Sequence, residues 1–218
     1  TLPDKEIEHD NYNILHNAES RELFDGRLLN NISFKWPGLQ IGPVRGIWTD
    51  KLIALDPLYL ADNSEDRFLH VKKMWTPIYQ NRLRYYTFDD NHEHPLHMLP
   101  EAQLGFIVAI DWFNFKTEAI IERYLQSAYR ILRPGGHMLF TYNNCNYPKA
   151  IDKVEQMHYS YINGNNLKQF VKTTGYIIEH AYDGELERED CVSWLEIKKP
   201  GYRQSIRGGQ NLGAIKQL

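Results

Sequence analysis

A glycine-bearing turn follows the first apolar run of the sequence, and an acid stands at the end of the second. The run Leu39–Ile41 leads directly into Gly42, Pro43 and, three residues later, Gly46. Glycine lets the backbone approach a ligand closely, and a helix that starts after such a turn offers unpaired N–H groups. Asp62 follows Gly42 at a separation of about 20 residues, at which an acid binds the ribose hydroxyls of a nucleotide. The spacing therefore predicts a nucleotide site.

Alternating strands and helices are predicted to bring these residues to one edge of a sheet. The apolar run 105–110 is typical of a central strand that is buried on both faces. Residues 117–132 have the i, i+3, i+4, i+7 spacing of an amphipathic helix. Further strands are predicted at 39–41, 58–61, 84–88, 137–142, 176–180 and 193–197, and further helices at 64–78 and 166–174. The alternation predicts an α/β fold with a doubly wound, mostly parallel seven-stranded sheet and helices on both faces.

The sequence resembles the class I S-adenosylmethionine-dependent methyltransferases. The resemblance depends on the segment 39–46, on Asp62 and on Leu132-Arg133-Pro134-Gly135-Gly136. In that family a long helix ends in Leu-x-Pro-Gly-Gly before the fifth strand, which disfavours an NAD-dependent dehydrogenase. The resemblance covers about residues 32–200 and is closest to phage- or virus-encoded members. It implies a Rossmann-like fold, S-adenosylmethionine as cofactor and methyl transfer to an acceptor that the sequence does not identify.

The resemblance also implies which residues bind the cofactor. The glycine loop would lie under its methionine part, and Asp62 would bind the ribose hydroxyls. Asp89 or Asp90, after the third strand, would meet the adenine amino group. Trp112 follows the fourth strand, where members of the family have residues that face the methyl group and the substrate. The full set of implied cofactor-binding residues is Gly42, Pro43, Gly46, Asp62, Asp89, Asp90 and Trp112.

Two residues after the fourth strand are implied to act on the acceptor. Methyl transfer from a sulfonium is an in-line displacement, in which positioning supplies much of the rate. Where the acceptor carries a proton, Asp111 could take it. Asn114 or Asn143 would orient the acceptor.

Two departures from the family pattern favour a second hypothesis. Gln40 stands where the family usually has an acid, and Val44 stands where it has its central glycine. A branched side chain at the second position crowds a ligand and disfavours positive φ. The alternative function is a catalytically degenerate methyltransferase-like domain, which serves as a structural or interaction module of a larger, viral protein.

Composition excludes several classes of protein and of site. With 42% hydrophobic and 24% charged residues the chain is globular, and its net charge of −3 gives no basic footprint for nucleic acid. Its apolar runs are too short for a membrane span. The two cysteines form no CxxC pair, which predicts reduced thiols and a cytoplasmic location, in the host cytoplasm or virion if the protein is viral. His92, His94 and His97 lie in a polar loop typical of solvated histidines, so no metal is predicted.

The predicted domain organisation has three parts. Residues 1–31 are polar and form an N-terminal arm that carries a short helix or two. Residues 32–200 form the methyltransferase-like domain, and residues 201–218 form a C-terminal tail. The two terminal segments are the predicted contacts with protein partners.

Overall fold

The computed structural model describes residues 18–43, 46, 48–183 and 192–201, and the structural statements below refer to these residues. A seven-stranded sheet lies at the centre of the fold. Its strands are β1 Gly38–Ile41, β2 Leu58–Asp62, β3 Leu83–Thr87, β4 Leu104–Ala109, β5 Leu132–Tyr142, β6 Ile177–Tyr182 and β7 Ser193–Lys198. The helices are α1 Ala18–Asn31, α2 Asp66–Met74, α3 Pro77–Gln80, α4 Glu118–Ile131, α5 Pro148–Met157 and α6 Gly164–Thr173. None of these helices is long and apolar enough to cross a bilayer.

The strand order is β3-β2-β1-β4-β5-β7-β6. Strands β1 to β5 are parallel, and β7 runs antiparallel to both β5 and β6. The predicted doubly wound, mostly parallel sheet is therefore confirmed. The strand order reverses between β1 and β4, and open α/β sheets bind their ligands outside the carboxyl ends of the strands at such a reversal.

Two apolar cores cover the two faces of the sheet. On one face, α4 and α6 bury residues such as Ile121 and Leu167 against Ile107 and Phe140 of the central strands. On the other face, α1 and α2 pack against side chains such as Val108. Neighbouring residues of β4 thus point into opposite cores, as the period of two in a strand requires. The prediction of helices on both faces is confirmed.

Helix α1 packs firmly on the sheet. Phe24 and Leu28 are completely buried, and the ring of Phe24 lies edge-on to Trp194 at 5.4 Å and to Trp48 at 5.5 Å. The predicted boundaries at residues 31/32 and 200/201 stay predictions. Residues 1–17 and 202–218, which make up most of the predicted arm and tail, lie outside the described residues.

The predicted helix 64–78 is wrong in its extent, because a proline divides it. Helix α2 ends at Met74, Trp75 is extended with φ −112° and ψ 143°, and α3 starts at Pro77. The residue before a proline is pushed out of the helical region, and Thr76 accordingly has ψ 154°. Pro77 then starts the next helix at a position where a missing N–H is harmless.

Strand β5 starts five residues earlier than the predicted 137–142. Leu132 is the C-cap residue of α4. It is already extended with ψ 134°, and it pairs with Leu104. The next pair is Phe106 with His137, so Arg133–Gly136 form a bulge within β5. The Pro-Gly-Gly segment therefore bends a strand, where the sequence pattern predicted only the end of a helix.

Candidate active site

The carboxyl ends of β1 to β5 meet at one edge of the sheet, since these strands are parallel. The residues predicted from the sequence follow these ends directly. Gly42, Pro43 and Gly46 come after β1, Asp62 ends β2, Asp89 and Asp90 follow β3, and Asp111, Trp112 and Asn114 follow β4. The fold thus places all of the predicted site residues along a single edge, and contacts between the loops join several of them.

The glycine turn after β1 needs both of its glycines. Gly42 has φ +67° and its N–H donates to the carbonyl of Ala61 at 2.8 Å. Gly46 has φ +79°, donates to the carbonyl of Pro43 at 2.7 Å, and would bring a Cβ to 2.7 Å from the sulfur of Met74. Positive φ favours glycine at both positions. The second of the two family departures, at position 44, lies outside the described residues.

Gln40, in β1, is bonded to the segment that follows the glycine turn. Its side chain is buried, and the hydroxyl of Thr49 donates a hydrogen bond of 2.7 Å to its Oε1. The amide oxygen of Gln40 is therefore engaged by the segment that follows the glycine turn. A carboxylate at the same position would bring a charge into this buried place, where the neutral amide avoids the penalty of desolvation.

Asp62 is completely buried and only half satisfied. Its Oδ1 accepts from the backbone N–H of Ser64 at 3.1 Å and from the guanidinium of Arg67 at 3.4 Å. Its Oδ2 has no hydrogen-bond partner among the described residues. Burial raises the pKa of Asp62 above its usual value, and Arg67 offsets only part of that effect. An unpaired buried carboxylate oxygen lowers stability by about 1–3 kcal/mol, which a ligand with hydroxyl donors would recover.

Asp89 and Asp90 have different surroundings. Asp89 is exposed, and its Oδ1 accepts from the backbone of Asn91 at 2.8 Å. The carboxylate of Asp90 accepts from Lys116 at 2.6 Å and from the hydroxyl of Tyr124 at 2.5 Å. Burial raises the pKa of Asp90, but these hydrogen bonds outweigh it and hold the pKa below its usual value. The carboxylate of Asp90 is therefore engaged by the protein's own side chains, whereas the carboxylate of Asp89 is accessible to a ligand.

The indole of Trp112 lies on the glycine turn. A Cβ on Gly42 would come within 2.3 Å of its Cε3, and the ring of Phe88 meets it edge-on at 5.7 Å. The ammonium of Lys116 lies 4.2 Å from the ring centre. Trp112 is only 5% exposed, so the indole fills the space between the ends of β1 and β3.

Asp111 is held in an unusual conformation at the end of β4. Its φ of +60° lies in the left-handed region, which aspartate tolerates better than most residues. Its N–H donates to the hydroxyl of Thr141 on β5 at 2.8 Å. Its Oδ1 is buried and has no partner in the described part of the chain. Burial raises the pKa of Asp111 well above its usual value, and a hydrogen bond with the Thr141 side chain offsets only part of that effect.

Two buried amides, Asn114 and Asn143, follow the ends of β4 and β5. Asn114 is 1% exposed, and its backbone carbonyl accepts from the N–H of Ser160 at 2.7 Å. Asn143, after β5, donates through Nδ2 to the carbonyls of Ala150 at 2.9 Å and Ser160 at 3.2 Å. The Oδ1 atoms of both asparagines are buried with no partner among the residues described. Together with Oδ2 of Asp62, the described part of this edge thus carries unpaired acceptor oxygens on Asp111, Asn114 and Asn143.

Sequence reasoning missed the residues that hold these groups in place. Thr141 lies inside a strand, Lys116 in a polar turn and Ser160 in an irregular segment, and none belongs to a motif. Helix α5, which separates Asn143 from Ser160, was also missed, although Pro148 at its start is a typical signal. The histidines make local contacts instead: His92 and His97 stack at 4.1 Å. Among the described residues no group of three or more His, Cys, Asp or Glu is arranged for a metal ion.

Comparisons with known proteins find the same fold at low sequence identity. No protein-family model matches the sequence, and no curated protein matches it. An S-adenosylmethionine-dependent methyltransferase from Mesorhizobium loti has a TM-score of 0.67 and 13% identity, over 85% of this chain and 100% of that one. The N-methyltransferase NodS from Bradyrhizobium japonicum WM9, solved with S-adenosylhomocysteine, has a TM-score of 0.62 and 16% identity, over 88% and 94%. Phosphoethanolamine N-methyltransferase 2 from Haemonchus contortus, solved with S-adenosylmethionine, has a TM-score of 0.62 and 14% identity, over 83% and 52%.

These similarities concern the fold, since the sequence identities are low. The seven-stranded sheet with its antiparallel β7 agrees with it. The chain has the Rossmann-like fold of the class I S-adenosylmethionine-dependent methyltransferases.

Proposed function

We propose that the protein is a methyltransferase that uses S-adenosylmethionine. The observation that carries the proposal is the Asp62 carboxylate, which is buried at the end of β2 with Oδ2 unpaired. In this fold the end of β2 lies beside the reversal of strand order, where ligands bind. A ribose supplies two adjacent hydroxyl donors, which is what a half-satisfied carboxylate accepts.

The remaining cofactor residues fit the same ligand. The turn of Gly42, Pro43 and Gly46 presents backbone without side chains at its two glycines, which suits the methionine part of the cofactor. Asp89 is accessible for the adenine amino group, whereas the carboxylate of Asp90 is engaged by Lys116 and Tyr124. When bound, S-adenosylmethionine supplies a methyl group on a positively charged sulfur.

The chain's own residues then act on the acceptor. Asp111 accepts a proton, because desolvation makes its carboxylate more basic than an exposed one. Asn114 and Asn143 orient the acceptor through their free amide oxygens. Trp112 and Phe88 exclude water from the edge of the sheet. Positioning and proton acceptance together are sufficient for a displacement at a sulfonium.

Two observations favour the alternative function, an interaction module without activity. Trp112 fills the space against Gly42, and Gln40 replaces the usual acid and bonds to Thr49. A domain that has lost its cofactor would keep such an indole in place permanently. Binding of the cofactor decides between the two functions.

Asp62→Asn is expected to weaken binding of S-adenosylhomocysteine by about 10- to 100-fold, equivalent to about 1–3 kcal/mol. The amide keeps the size of the side chain but replaces the free Oδ2 with an N–H donor. The ribose hydroxyls then lose the oxygen that accepts their hydrogen bonds. Isothermal titration calorimetry on both proteins measures the effect. Asp66→Asn, an exposed acid in the first turn of α2, is the matched control and leaves the affinity unchanged. Equal affinity of the wild type and Asp62→Asn would mean that the ribose lies elsewhere, and no binding by the wild type would support the interaction module.

The location, source and partners of the protein stay predictions from the sequence. These are a cytoplasmic location, a viral source, no role for nucleic acid, and protein partners at the terminal segments.

A further inference from the structure

We propose that the indole of Trp112 occupies the place of the cofactor's nucleoside in the free protein and must swing away before S-adenosylmethionine binds. The inference rests on the proposed function and adds a gate to it. It gives Trp112 a role opposite to the cofactor contact that the sequence predicts. As a gate, the side chain competes with the cofactor for one place at the carboxyl edge of the sheet.

The carboxylate that would accept the ribose is closed to solvent. Asp62 is 0% exposed, although its Oδ2 has no hydrogen-bond partner among the described residues. A hydroxyl donor has to approach that oxygen to within about 3 Å. Because the carboxylate is covered, binding of a ribose at Asp62 requires the movement of at least one side chain.

The side chain of Trp112 lies at the junction of the glycine turn and the end of β2. Its ring is so close to Gly42 that a Cβ there would come within 2.3 Å of Cε3. The N–H of Gly42 donates to the carbonyl of Ala61, the residue before Asp62. The indole therefore contacts the backbone at the point where the proposed function places the cofactor.

Two cations connect the indole with the acids at the ends of β2 and β3. The guanidinium of Arg67, which bonds to Asp62 at 3.4 Å, lies 5.9 Å from the centre of the indole. The ammonium of Lys116, which bonds to Asp90 at 2.6 Å, lies 4.2 Å from it. Burial raises the pKa of Asp62, and the charges of Arg67 and Lys116 both offset part of that effect. One bicyclic ring is thus in contact with the partners of both acids.

The neighbours of the indole suit an adenine as well. Indole and adenine are both flat, bicyclic aromatic rings. The ring of Phe88 meets the indole edge-on at 5.7 Å, and the two cations lie within 6 Å of it. Aromatic side chains and cations attract a nucleobase as they attract an indole. An adenine that replaced the indole would therefore take over its contacts.

The loop after β4 allows the indole to move while its neighbours stay in place. Trp112 precedes the single turn Phe113–Phe115 and belongs to neither a strand nor a long helix. On one side the N–H of Asp111 is bonded to Thr141, and on the other side Phe113 is completely buried. A change of side-chain rotamer at Trp112 leaves both of these anchors intact. The gate therefore needs no rearrangement of the sheet.

Trp112→Ala is expected to bind S-adenosylhomocysteine at least about 5-fold more tightly than the wild type. A site that is open in only a fraction of the molecules has its affinity reduced by that fraction, and the variant is always open. Isothermal titration calorimetry measures both affinities. Trp36→Ala is the matched control and keeps the wild-type affinity. Its indole packs against Gly105 at the amino end of β4 and lies 4.0 Å from the guanidinium of Arg133.

The double variant Trp112→Ala/Asp62→Asn shows whether the tighter binding occurs at the same site. It should bind at least about 10-fold more weakly than Trp112→Ala. Thermal melting checks that the variants fold, and Trp112→Leu replaces the alanine variant if that one does not. Equal or weaker binding by the Trp112 variant, or tighter binding that ignores Asp62, would overturn the gate and leave the proposed function standing. Absence of binding by both the wild type and the Trp112 variant would instead overturn the proposed function.

Discussion

Asp111→Asn is expected to lower the rate of methyl transfer by at least about 100-fold and, at the same time, to stabilise the fold. Asparagine tolerates the φ of +60° as aspartate does, so the backbone is preserved. The variant loses the group that accepts the proton, and this removes activity. It also loses a desolvated charge, and this removes a source of instability.

The pH dependence of stability follows from the direction of this shift. The folded-state pKa of Asp111 is raised, so its contribution is most favourable below the unfolded-state pKa of about 3.9 and is lost as pH rises through the folded-state pKa. The stability gained by Asp111→Asn should therefore be small at pH 4 and larger at pH 8. Urea unfolding at the two pH values measures it, with Asp66→Asn as an exposed control. A variant that is less stable than the wild type at pH 8 would show that Asp111 supports the fold, and full activity in the variant would exclude it as the base.

Glu196→Gln is expected to lose about 2–3 kcal/mol of the free energy of unfolding at pH 7. Glu196, in β7, is 1% exposed and accepts hydrogen bonds from Arg27, from Asn31 at 2.9 Å and from His137 at 2.8 Å. Burial raises its pKa, but the hydrogen bonds from His137 and Arg27 prevail and lower the pKa to about 2. A shift of this size corresponds to about 3 kcal/mol of stability, and two of the three partners lie on α1.

The sign of this shift predicts acid sensitivity. Because the pKa is lowered, the stability is present above the unfolded-state value of about 4.3 and is lost as pH falls toward about 2. Wild type and Glu196→Gln should therefore differ most at neutral pH and converge near pH 2. Glu179→Gln on β6 is the matched control, since its pair with Lys198 at 3.6 Å is partly exposed and contributes less than about 1 kcal/mol. The same loss in both variants would mean that the buried cluster adds nothing beyond a surface ion pair.

The sheet could be predicted because its elements carry strong patterns. The continuous apolar run 105–110 predicts a buried strand and the helical period of 117–132 predicts a helix, and both elements appear within one residue of their predicted bounds. The local structure at Pro77 and at Pro134-Gly135-Gly136 was harder to predict, because proline and glycine can end a helix, start one or bend a strand. Their neighbours in the sheet decide between these outcomes.

The site could be predicted only as positions at strand ends. The carboxyl ends of parallel strands meet at one edge of the sheet regardless of the side chains that surround them. Asp62 and Asp111, which stand at such ends, could therefore be identified from the sequence. The difference between Asp89 and Asp90 depends on Lys116 and Tyr124, which are distant in sequence. The burial of Trp112 likewise depends on the space above Gly42. Contacts of this kind leave no periodic signal in the chain.

A crystal structure of the protein grown with S-adenosylhomocysteine tests the central claim most directly. We predict the ligand at the carboxyl ends of β1 and β2, with its ribose hydroxyls hydrogen-bonded to the Asp62 carboxylate and its sulfur facing Asp111. Crystals grown at millimolar ligand that show no S-adenosylhomocysteine at this edge, with Trp112 still against Gly42, would contradict it.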